Sequence, residues 1–560
     1  MRKNLRLGDI LVNAGKISVT QLEKALSTQK EIKTKRLGEA LIDSGYLKEE
    51  DILEALESQL KIPSIDLGNY KINTKAVALV AENIARKYDL IPIDIEDDRL
   101  VVAMSDPLNV FAIDDIKLST NRKIKIVLST KSVIQRSINR YYSKEGTKKV
   151  VAEFEEAFTT SSIDDLDEED LSNVHSAPVV KLVNSIISQA ILMKSSDIHI
   201  EPFEKSIRVR IRIDGDLQEI MTFSRRSHMA IVTRIKIMGK MDIAERRIPQ
   251  DGRIETEIDG KEIDMRISTL PTVYGEKVVI RLLDRDGFDF NKEDLGFSEH
   301  DLDTFNKIIK QPYGIVLVTG PTGSGKTTTL YAVLKDINKE EKNIITVEDP
   351  VEYKLHGINQ VQVNVKAGLT FASGLRSILR QDPDIIMIGE IRDSETAEIA
   401  IRAAITGHLV LSTLHTNDTA STVVRLVDMG IEPYLVSSSV VGIVSQRLVK
   451  RLCPSCKIAY EASEECKKAL GLNNGRSLTL YKPNGCNKCI KGYRGRIPVH
   501  EVMYIDRDIR RLIDKEATTD EIEEAAVKNG MKTLFASAVD LALSGITSVE
   551  EVLKIGYTAE

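Results

Sequence analysis

A glycine-rich loop between an apolar run and a helix-forming stretch constrains this chain more than any other feature. Its residues, 320–327, read GPTGSGKT and match the pattern G-x-x-x-x-G-K-[ST] at every fixed position. The preceding residues 314–319 predict a buried strand, and residues 328–335 continue as a helix. Glycines let the backbone curl tightly, so that successive N–H groups and the helix N-terminus face phosphates. A chance glycine-rich turn is the alternative, but the flanking strand and helix favour binding of a nucleoside triphosphate.

Within this loop the residue types suggest separate tasks. The lysine at 326 neutralises the β- and γ-phosphates, and the threonine at 327 is a ligand for Mg²⁺. The remaining positions supply backbone N–H groups. The predicted ATP-binding set is Gly320, Pro321, Thr322, Gly323, Ser324, Gly325, Lys326, Thr327 and Thr328.

Length and composition indicate a multidomain protein of the cytoplasm. A chain of 560 residues predicts three or four domains, and 42% hydrophobic with 29% charged residues is typical of soluble proteins. No apolar stretch approaches the roughly 18 residues of a membrane helix, so any membrane contact is expected to be peripheral. The start has no signal-peptide core, and four of the five cysteines form Cys-x-x-Cys pairs, which suits a reducing compartment. A net charge of −6 gives no global attraction to nucleic acid, although a local basic groove stays possible.

The first 62 residues contain a duplication. A motif that begins Arg-Leu-Gly recurs thirty residues later, and each copy predicts a helix, a turn at Gly15 or Gly45, and a second helix. The repeated positions are Arg6, Leu7, Gly8, Leu11 and Gln29 in the first copy, and Arg36, Leu37, Gly38, Leu41 and Gln59 in the second. From the residues alone, two helical hairpins are expected, and a plain helical bundle with solvated arginines is as acceptable as a binding module.

Two further segments precede the next domain. Residues 63–143 predict a small α/β domain, with strands at 100–105 and 123–128 and helices at 74–88 and 131–142. Residues 144–177 predict an acidic linker, because nine acidic residues and no lysine or arginine lie between positions 153 and 170.

Residues 178–285 predict a second α/β domain with a row of arginines. Helices are expected at 179–194 and 227–240, and the strand 207–213 alternates apolar residues with Arg208, Arg210 and Arg212. Alternate residues of a strand share one face, so the three guanidinium groups are expected on the same side. Two interpretations stay open: a solvent-facing edge strand, or a surface that supplies arginines to a neighbouring nucleotide site.

Residues 286–560 contain the loop and its candidate catalytic partners. Glu348 and Glu390 each follow a predicted strand, where open α/β sheets bind ligands, and hydrolysis needs both support for Mg²⁺ and polarisation of water. The ordinary Walker B aspartate is absent, because the strand that ends here closes with Gly389 and Glu390. His408 and His415 flank the strand 410–413, and either structural histidines or a sensor of the γ-phosphate fits them.

Two cysteine pairs predict a structural Zn²⁺ site. Cys453, Cys456, Cys486 and Cys489 form two Cys-x-x-Cys turns within a subdomain at 450–495. Four thiolates in two such turns make a tetrahedral site, and reduced free thiols are the alternative. Cys466 lies between the pairs and is interpreted as an ordinary small apolar residue.

Four longer segments, 196–202, 243–253, 345–352 and 407–417, resemble signature boxes of the secretion ATPase superfamily. The resemblance is to its type IV pilus extension and type II secretion branches, and it extends over essentially the whole chain. It implies an α/β multidomain fold, in which a RecA-like P-loop motor domain follows a PAS-like α/β domain, a small α/β domain and an N-terminal helical hairpin repeat.

The resemblance also implies a mechanism. Members form hexameric rings in which each site lies between the second α/β domain and the motor domain, and turnover rotates these domains. By the family pattern Glu348 is the general base, Glu390 holds Mg²⁺ through water, and His415 senses the γ-phosphate. Arg210 and Arg225 would stabilise the transferring phosphoryl group, and only the resemblance selects Arg225.

Partners follow from the same resemblance. The duplication is similar to a cyclic di-GMP-binding module found on some of these ATPases, and stacking and pairing by arginine suit that ligand. The expected partners are further copies in a homohexamer, a PilC-like inner-membrane platform protein and a PilM-like protein, with a pilin-like substrate. The zinc subdomain and the long N-terminal region favour extension over retraction, while type II secretion stays the alternative.

Two other classes fit the residues less well. A nucleic-acid translocase would need a basic or aromatic strand-binding loop, which the sequence does not show, so no nucleic-acid partner is expected. A nucleotide-gated scaffold with little turnover would not need the pair Glu348 and Glu390. An ATPase motor is therefore the prediction.

Overall fold

The computed structural model describes residues 8, 11–12, 14–31, 37–47, 49–67, 70, 72–138, 141–142, 177–258, 261–284, 291–472, 477–486 and 488–556. Internal contacts divide the chain into two units, residues 1–258 with 264–282, and residues 259–263 with 283–560. Apart from Ala177, the predicted acidic linker lies outside the described residues. So do Arg6, Leu7 and Arg36, together with the side chains of Gln29 and Gln59.

The duplicated segment forms helices around one small core. They are α1 (Val19–Glu31), α2 (Leu37–Asp43) and α3 (Glu49–Leu60). Equivalent positions of the two copies meet in this core, namely Leu11 with Leu41, Ile17 with Leu47 and Ala25 with Ala55. A Cβ at Gly8 would lie 2.8 Å from Leu22 Cδ1, and one at Gly38 would lie 3.2 Å from Ile52 Cδ1. The glycines of the repeat therefore permit the same close helix packing in both copies.

The small α/β domain follows. Its elements are α4 (Thr74–Val77), α5 (Glu82–Tyr88), β1 (Leu90–Glu96), β2 (Arg99–Met104), α6 (Val110–Thr120) and β3 (Lys123–Leu128). β2 pairs antiparallel with β1 and parallel with β3. The single helix predicted over 74–88 is wrong, because the chain breaks at 78–81, where Ala81 is extended. Val77 and Val80, on either side of the turn, are both buried.

The first unit ends in a six-stranded sheet, ordered β6-β5-β4-β9-β8-β7. Its elements are α7 (Ala177–Leu192), β4 (Asp197–Pro202), β5 (Ser206–Ile213), β6 (Asp216–Ser224), α8 (His228–Met238), β7 (Gln250–Ile258), β8 (Lys261–Thr272) and β9 (Gly275–Asp284). Ile207, Val209 and Ile211 of β5 are buried, which leaves the arginines on the opposite face. The edge-strand interpretation of this row is wrong, because β4 and β6 flank β5.

A seven-stranded sheet, ordered β12-β11-β13-β14-β10-β15-β18, forms the centre of the second unit. The strands are β10 (Gly314–Thr319), β11 (Ile344–Glu348), β12 (Asn359–Gln362), β13 (Ile385–Ile388), β14 (Leu409–Leu414), β15 (Val440–Leu452) and β18 (Tyr493–Tyr504). All pairings are parallel except β15 with β18. Parallel strands end at one edge of a sheet, so the segments after β10, β11, β13 and β14 meet there.

Helices cover this sheet and continue beyond it. Around the sheet lie α9 (Glu299–Ile309), α10 (Lys326–Ile337), α11 (Phe371–Ile378), α12 (Ser394–Ile405), α13 (Thr419–Asp428) and α14 (Pro433–Ser439). The C-terminal part contains β16 (Ile458–Glu461), α15 (Glu464–Ala469), β17 (Thr479–Lys482), α16 (Arg507–Asp514), α17 (Thr519–Lys528), α18 (Leu534–Leu543) and α19 (Val549–Gly556). No helix in the described part of the chain has the length and apolarity to cross a membrane.

Candidate nucleotide site

The phosphate-binding loop connects β10, a strand that is buried along its whole length, to α10. Gly320, Gly323 and Gly325 have φ values of 139°, 79° and 93°, which L side chains rarely adopt. At Gly320 the space is closed as well, because an added Cβ would lie 2.4 Å from the carbonyl oxygen of Gln446. The local geometry therefore requires the glycines that the sequence motif contains.

Lys326 braces the loop at the start of α10. Its Nζ donates to the carbonyl oxygens of Gly320 (2.7 Å) and Pro321 (3.2 Å). An ammonium group has three donors, so beyond the two contacts found in the described part of the chain one donor can reach a phosphate oxygen. Burial lowers the pKa of Lys326 to about 8, with Glu390 opposing the shift and Arg447 adding to it. Because burial disfavours the charged form of this lysine, an anionic ligand is expected to stabilise it.

The neighbouring strand β15 supports the loop with two residues that the sequence interpretation missed. Gln446 is buried, donates to the Ser324 carbonyl oxygen (2.7 Å) and accepts from Thr329 Oγ1 (2.8 Å). Arg447 donates from Nη2 to Asn417 Oδ1 (3.0 Å), in the segment that follows His415. In the sequence, Gln446 and Arg447 are visible only as a polar pair inside an apolar strand. Gln446 lies more than 120 residues after the loop residue it contacts, so the sequence does not show that the two are close.

Glu348 lies at the end of β11 with its carboxylate enclosed. The residue is 3% exposed. Its Oε1 accepts from Thr346 Oγ1 (2.6 Å) and Gln360 Nε2 (3.1 Å), and its Oε2 accepts from the Tyr331 hydroxyl. Burial, followed by the charge of Glu348, raises the pKa of Tyr331, which keeps this hydroxyl protonated and donating.

Glu390 lies after β13 and forms a charged group with Arg392 and His415. Arg392 Nη2 donates to Oε1, and His415 Nε2 lies 3.1 Å from Oε2. Burial acts to raise the pKa of Glu390, but Arg392 and His415 hold it below its ordinary value. A charged carboxylate with the Thr327 hydroxyl offers the oxygen ligands that Mg²⁺ prefers, so the donor set fits that ion.

The two histidines around β14 differ in their surroundings. His408 precedes the strand, and its Nδ1 lies 2.9 Å from the carbonyl oxygen of Ala403. His415 follows the strand, at the sheet edge that carries the loop, and contacts Glu390. His408 therefore has a backbone partner, whereas His415 contacts a candidate functional carboxylate.

The candidate arginines belong to the first unit, whereas the loop belongs to the second. Arg210 binds Glu201 through Nε (2.7 Å) and Nη2 (2.8 Å). Burial opposes ionisation of Glu201, but Arg210 and Lys277 lower its pKa to about 2. Arg225 donates to the carbonyl oxygen of Glu204 (3.1 Å) and lies over the Tyr274 ring. Both arginines are thus held by their own unit.

The four predicted metal ligands come together. The Sγ atoms of Cys453, Cys456, Cys486 and Cys489 all lie within 4.8 Å of one another. Three of the pairs measure 3.9, 3.7 and 3.7 Å. Tetrahedral Zn–S bonds of about 2.3 Å would place sulfur atoms about 3.8 Å apart. The cluster therefore has the size of a Zn²⁺ site, while Cys466 packs against an apolar cluster.

The described positions of the duplicated repeat are mostly internal. Leu11 and Leu41 are fully buried, and Leu37 and Gly38 are partly exposed. The two leucines therefore stabilise the helical core, and a ligand would meet other residues of the motif.

Comparison with known families gives two matches. The family described as "Type II/IV secretion system protein" matches residues 172–554. The family described as "MshEN domain" matches residues 60–148, which cover the small α/β domain rather than the duplicated repeat. The first match includes the six-stranded sheet, the phosphate-binding loop and the cysteine cluster.

Individual relatives extend this result. The type IV pilus assembly ATPase PilB of Myxococcus xanthus is 45% identical over 99% of both chains. The type II secretion system ATPase E of Vibrio cholerae is 44% identical over 80% of this chain and 90% of its own. Among solved structures, the ATPase DotB of Yersinia pseudotuberculosis matches with a TM-score of 0.52 at 20% identity. The match covers 68% of this chain and 94% of that chain, and at this identity it supports the similarity of fold alone. The predicted superfamily, its ATPase activity and the α/β multidomain class with a RecA-like domain are confirmed.

Proposed function

The chain belongs to the family of type II/IV secretion system ATPases, and from that premise we propose that it is a hexameric motor that powers type IV pilus extension. One observation carries the catalytic part of the proposal. The phosphate-binding loop, Glu348, Glu390 and His415 lie at the C-terminal ends of four neighbouring parallel strands and share one edge of the sheet. This arrangement supplies a phosphate cradle, two carboxylates and a sensor within one chain.

In the proposed mechanism each residue has a distinct task. Lys326 binds the β- and γ-phosphates, while Thr327 and Glu390 support Mg²⁺, the latter through water. Glu348 accepts a proton from the attacking water. Loss of the γ-phosphate changes the field at Glu390, and His415, 3.1 Å from its Oε2, responds. Arg210 and Arg225 stabilise the charge on the transferring phosphoryl group.

Pilus extension is proposed over type II secretion for one reason. The match to the Myxococcus PilB runs through the N-terminal region to 99% of both chains, whereas the match to the Vibrio secretion ATPase covers 80% of this chain. The motor would act at the inner face of the cytoplasmic membrane through a PilC-like platform protein, with a PilM-like protein as a further partner. We also propose that the four-cysteine cluster binds Zn²⁺. The motor is proposed to act without a nucleic-acid partner.

The test is Mg²⁺-dependent ATPase activity per subunit across protein concentrations. A site completed by a second copy gives specific activity that rises with concentration. Glu348→Gln keeps the side-chain size but removes the base, and is expected to reduce turnover to a small residual rate, while the exposed control Glu341→Gln retains full turnover. Activity that is independent of concentration and survives Glu348→Gln would overturn both the shared site and the base.

Regulation by cyclic di-GMP is a second part of the proposal. It rests on the duplicated Arg-Leu-Gly motif, whose two copies bury equivalent side chains in one helical core. Arg6→Ala combined with Arg36→Ala is expected to abolish binding of cyclic di-GMP to the full chain, as measured by calorimetry with GMP as the control ligand. Equal binding by the variant and the wild type would contradict this assignment.

A further inference from the structure

Tyr331 connects the phosphate-binding helix to the carboxylate of Glu348. Its ring is fully buried and contacts Tyr353 edge-on at 6.1 Å between centroids. The hydroxyl donates to Glu348 Oε2 and accepts from the backbone N–H of Glu352 (3.2 Å). Tyrosine hydroxyls are usually bonded when buried, but this one is bonded to a candidate catalytic group.

The donors around Glu348 fill most of its hydrogen-bonding capacity. An ionised carboxylate has about four acceptor positions. Among the described residues, three donors bind this carboxylate, the hydroxyls of Tyr331 and Thr346 and the amide of Gln360. Two of them bind Oε1, so the remaining position is on Oε2, the oxygen that also accepts from Tyr331. A carboxylate held in this way can offer one oxygen in one direction.

These donors come from three separate elements. Tyr331 lies on α10, Thr346 on β11 and Gln360 on β12, where it pairs in register with Thr346. Gln360 is itself fixed, because its amide also donates to the Tyr353 carbonyl oxygen (3.0 Å) and its Oε1 accepts from the Leu355 backbone (2.7 Å). Hydrogen bonds from these three elements therefore fix the orientation of the Glu348 carboxylate.

The position of Tyr331 on α10 has a further effect. Lys326 begins this helix, and Tyr331 follows five residues later, which is roughly 7.5 Å along a helix axis. One rigid element thus carries both the lysine that binds the phosphates and the hydroxyl that orients the carboxylate. A shift of α10 on nucleotide binding would move both groups together.

We infer that Tyr331 is a positioning residue, which aims the free acceptor of Glu348 at the attacking water and sets its distance from the bound triphosphate. The inference rests on the proposed role of Glu348 as the base. Because Tyr331 acts through Glu348, its removal should affect turnover rather than nucleotide binding.

The test is Tyr331→Phe in the full chain, with Tyr504→Phe as a matched control that removes an exposed hydroxyl. A misdirected base is expected to lower kcat by about 10- to 100-fold. The KM for ATP should stay within about threefold, because the phosphate cradle is unchanged. An unchanged kcat would overturn the inference, as would a loss confined to KM.

Two further variants separate this inference from the proposed function. In a Glu348→Gln background, Tyr331→Phe should cause no additional loss, because residues that act through one group are not additive. An additional loss would show that Tyr331 acts independently of Glu348, while full activity of Glu348→Gln alone would overturn the proposed base. If Tyr331→Phe fails to fold, Thr346→Val removes another of the three donors from a strand position that suits valine, and should show the same loss of kcat.

Discussion

At the residue scale, the burial of Lys326 is expected to make nucleotide binding depend on pH. Its pKa is lowered to about 8, and the anionic phosphates bind the protonated form. Affinity for the nucleotide is therefore highest about one pH unit or more below 8 and falls as the pH rises through that value. Each unit above the pKa leaves about tenfold less of the charged form. Calorimetry at pH 7 and pH 9 should show ADP binding weaken by about tenfold between them.

Lys326→Arg is the control for this dependence. A guanidinium stays charged across the whole range, so the affinity of the variant is expected to be nearly constant from pH 7 to pH 9, whatever its absolute value. The same slope in wild type and variant would assign the titration to another group. Arg447, whose pKa burial lowers from a much higher starting value, stays charged in this range.

At the element scale, Glu501 joins the central sheet to two helices. It lies in β18, is 3% exposed, and accepts from the backbone N–H groups of Thr419 (2.8 Å) and Leu534 (3.0 Å). These residues begin α13 and α18, so one carboxylate satisfies two helix N-termini. Glu501→Ala leaves both N–H groups without this acceptor, at about 1–3 kcal/mol each. Calorimetry should therefore show a clearly lower Tm, whereas exposed Glu524→Ala should leave Tm unchanged.

The cysteine cluster makes a second prediction for elements. It ties the turn after β15 to the turn before β18, and closing such a loop with a metal stabilises the fold. Metal analysis should find one zinc ion per chain. The variant Cys486→Ser should lose this zinc and have a lower Tm, whereas Cys466→Ser should keep the zinc and the Tm of the wild type. Zinc retained by Cys486→Ser, or lost from Cys466→Ser, would contradict the four-cysteine site.

Sequence reasoning succeeded where the relevant pattern is local. The loop residues 320–327 and the strand before them can be interpreted without tertiary information, because spacing and glycine content define the motif. The break in the helix predicted over 74–88 was missed because helical periodicity continues across it. The interior position of β5 was left open because strand order is a tertiary property.

The same distinction applies to the site. Glu348 and Glu390 were found because a carboxylate after a strand is visible in the chain. Gln446 and Tyr331 were not, because their partners lie 122 and 17 residues away and only the sheet brings them together. A tyrosine inside a helix gives no sign in the sequence that its hydroxyl meets the carboxylate of Glu348.

At the scale of the whole molecule, the arginines and the phosphate-binding loop belong to different units of the chain. If Arg210 acts on the nucleotide of a neighbouring copy, two inactive variants can complement each other. A mixture of Arg210→Gln and Glu348→Gln contains interfaces in which one copy supplies the arginine and the other an intact loop and base. Random assembly in equal amounts leaves about one quarter of the interfaces intact. The mixture is expected to regain an ATPase rate well above the residual rate of either variant alone.

The control mixture is Glu348→Gln with Glu390→Gln, two changes on the same side of the proposed site. Each intact site needs both carboxylates from one chain, so no mixed interface is complete and no activity should return. Exchange of subunits is confirmed by mass photometry of differently tagged chains. Absence of recovery in the first mixture, despite exchange, would mean that Arg210 acts within its own chain or outside catalysis. Recovery in the first mixture alone would mean that hydrolysis requires two copies, which couples each turnover to contact between neighbours in the ring.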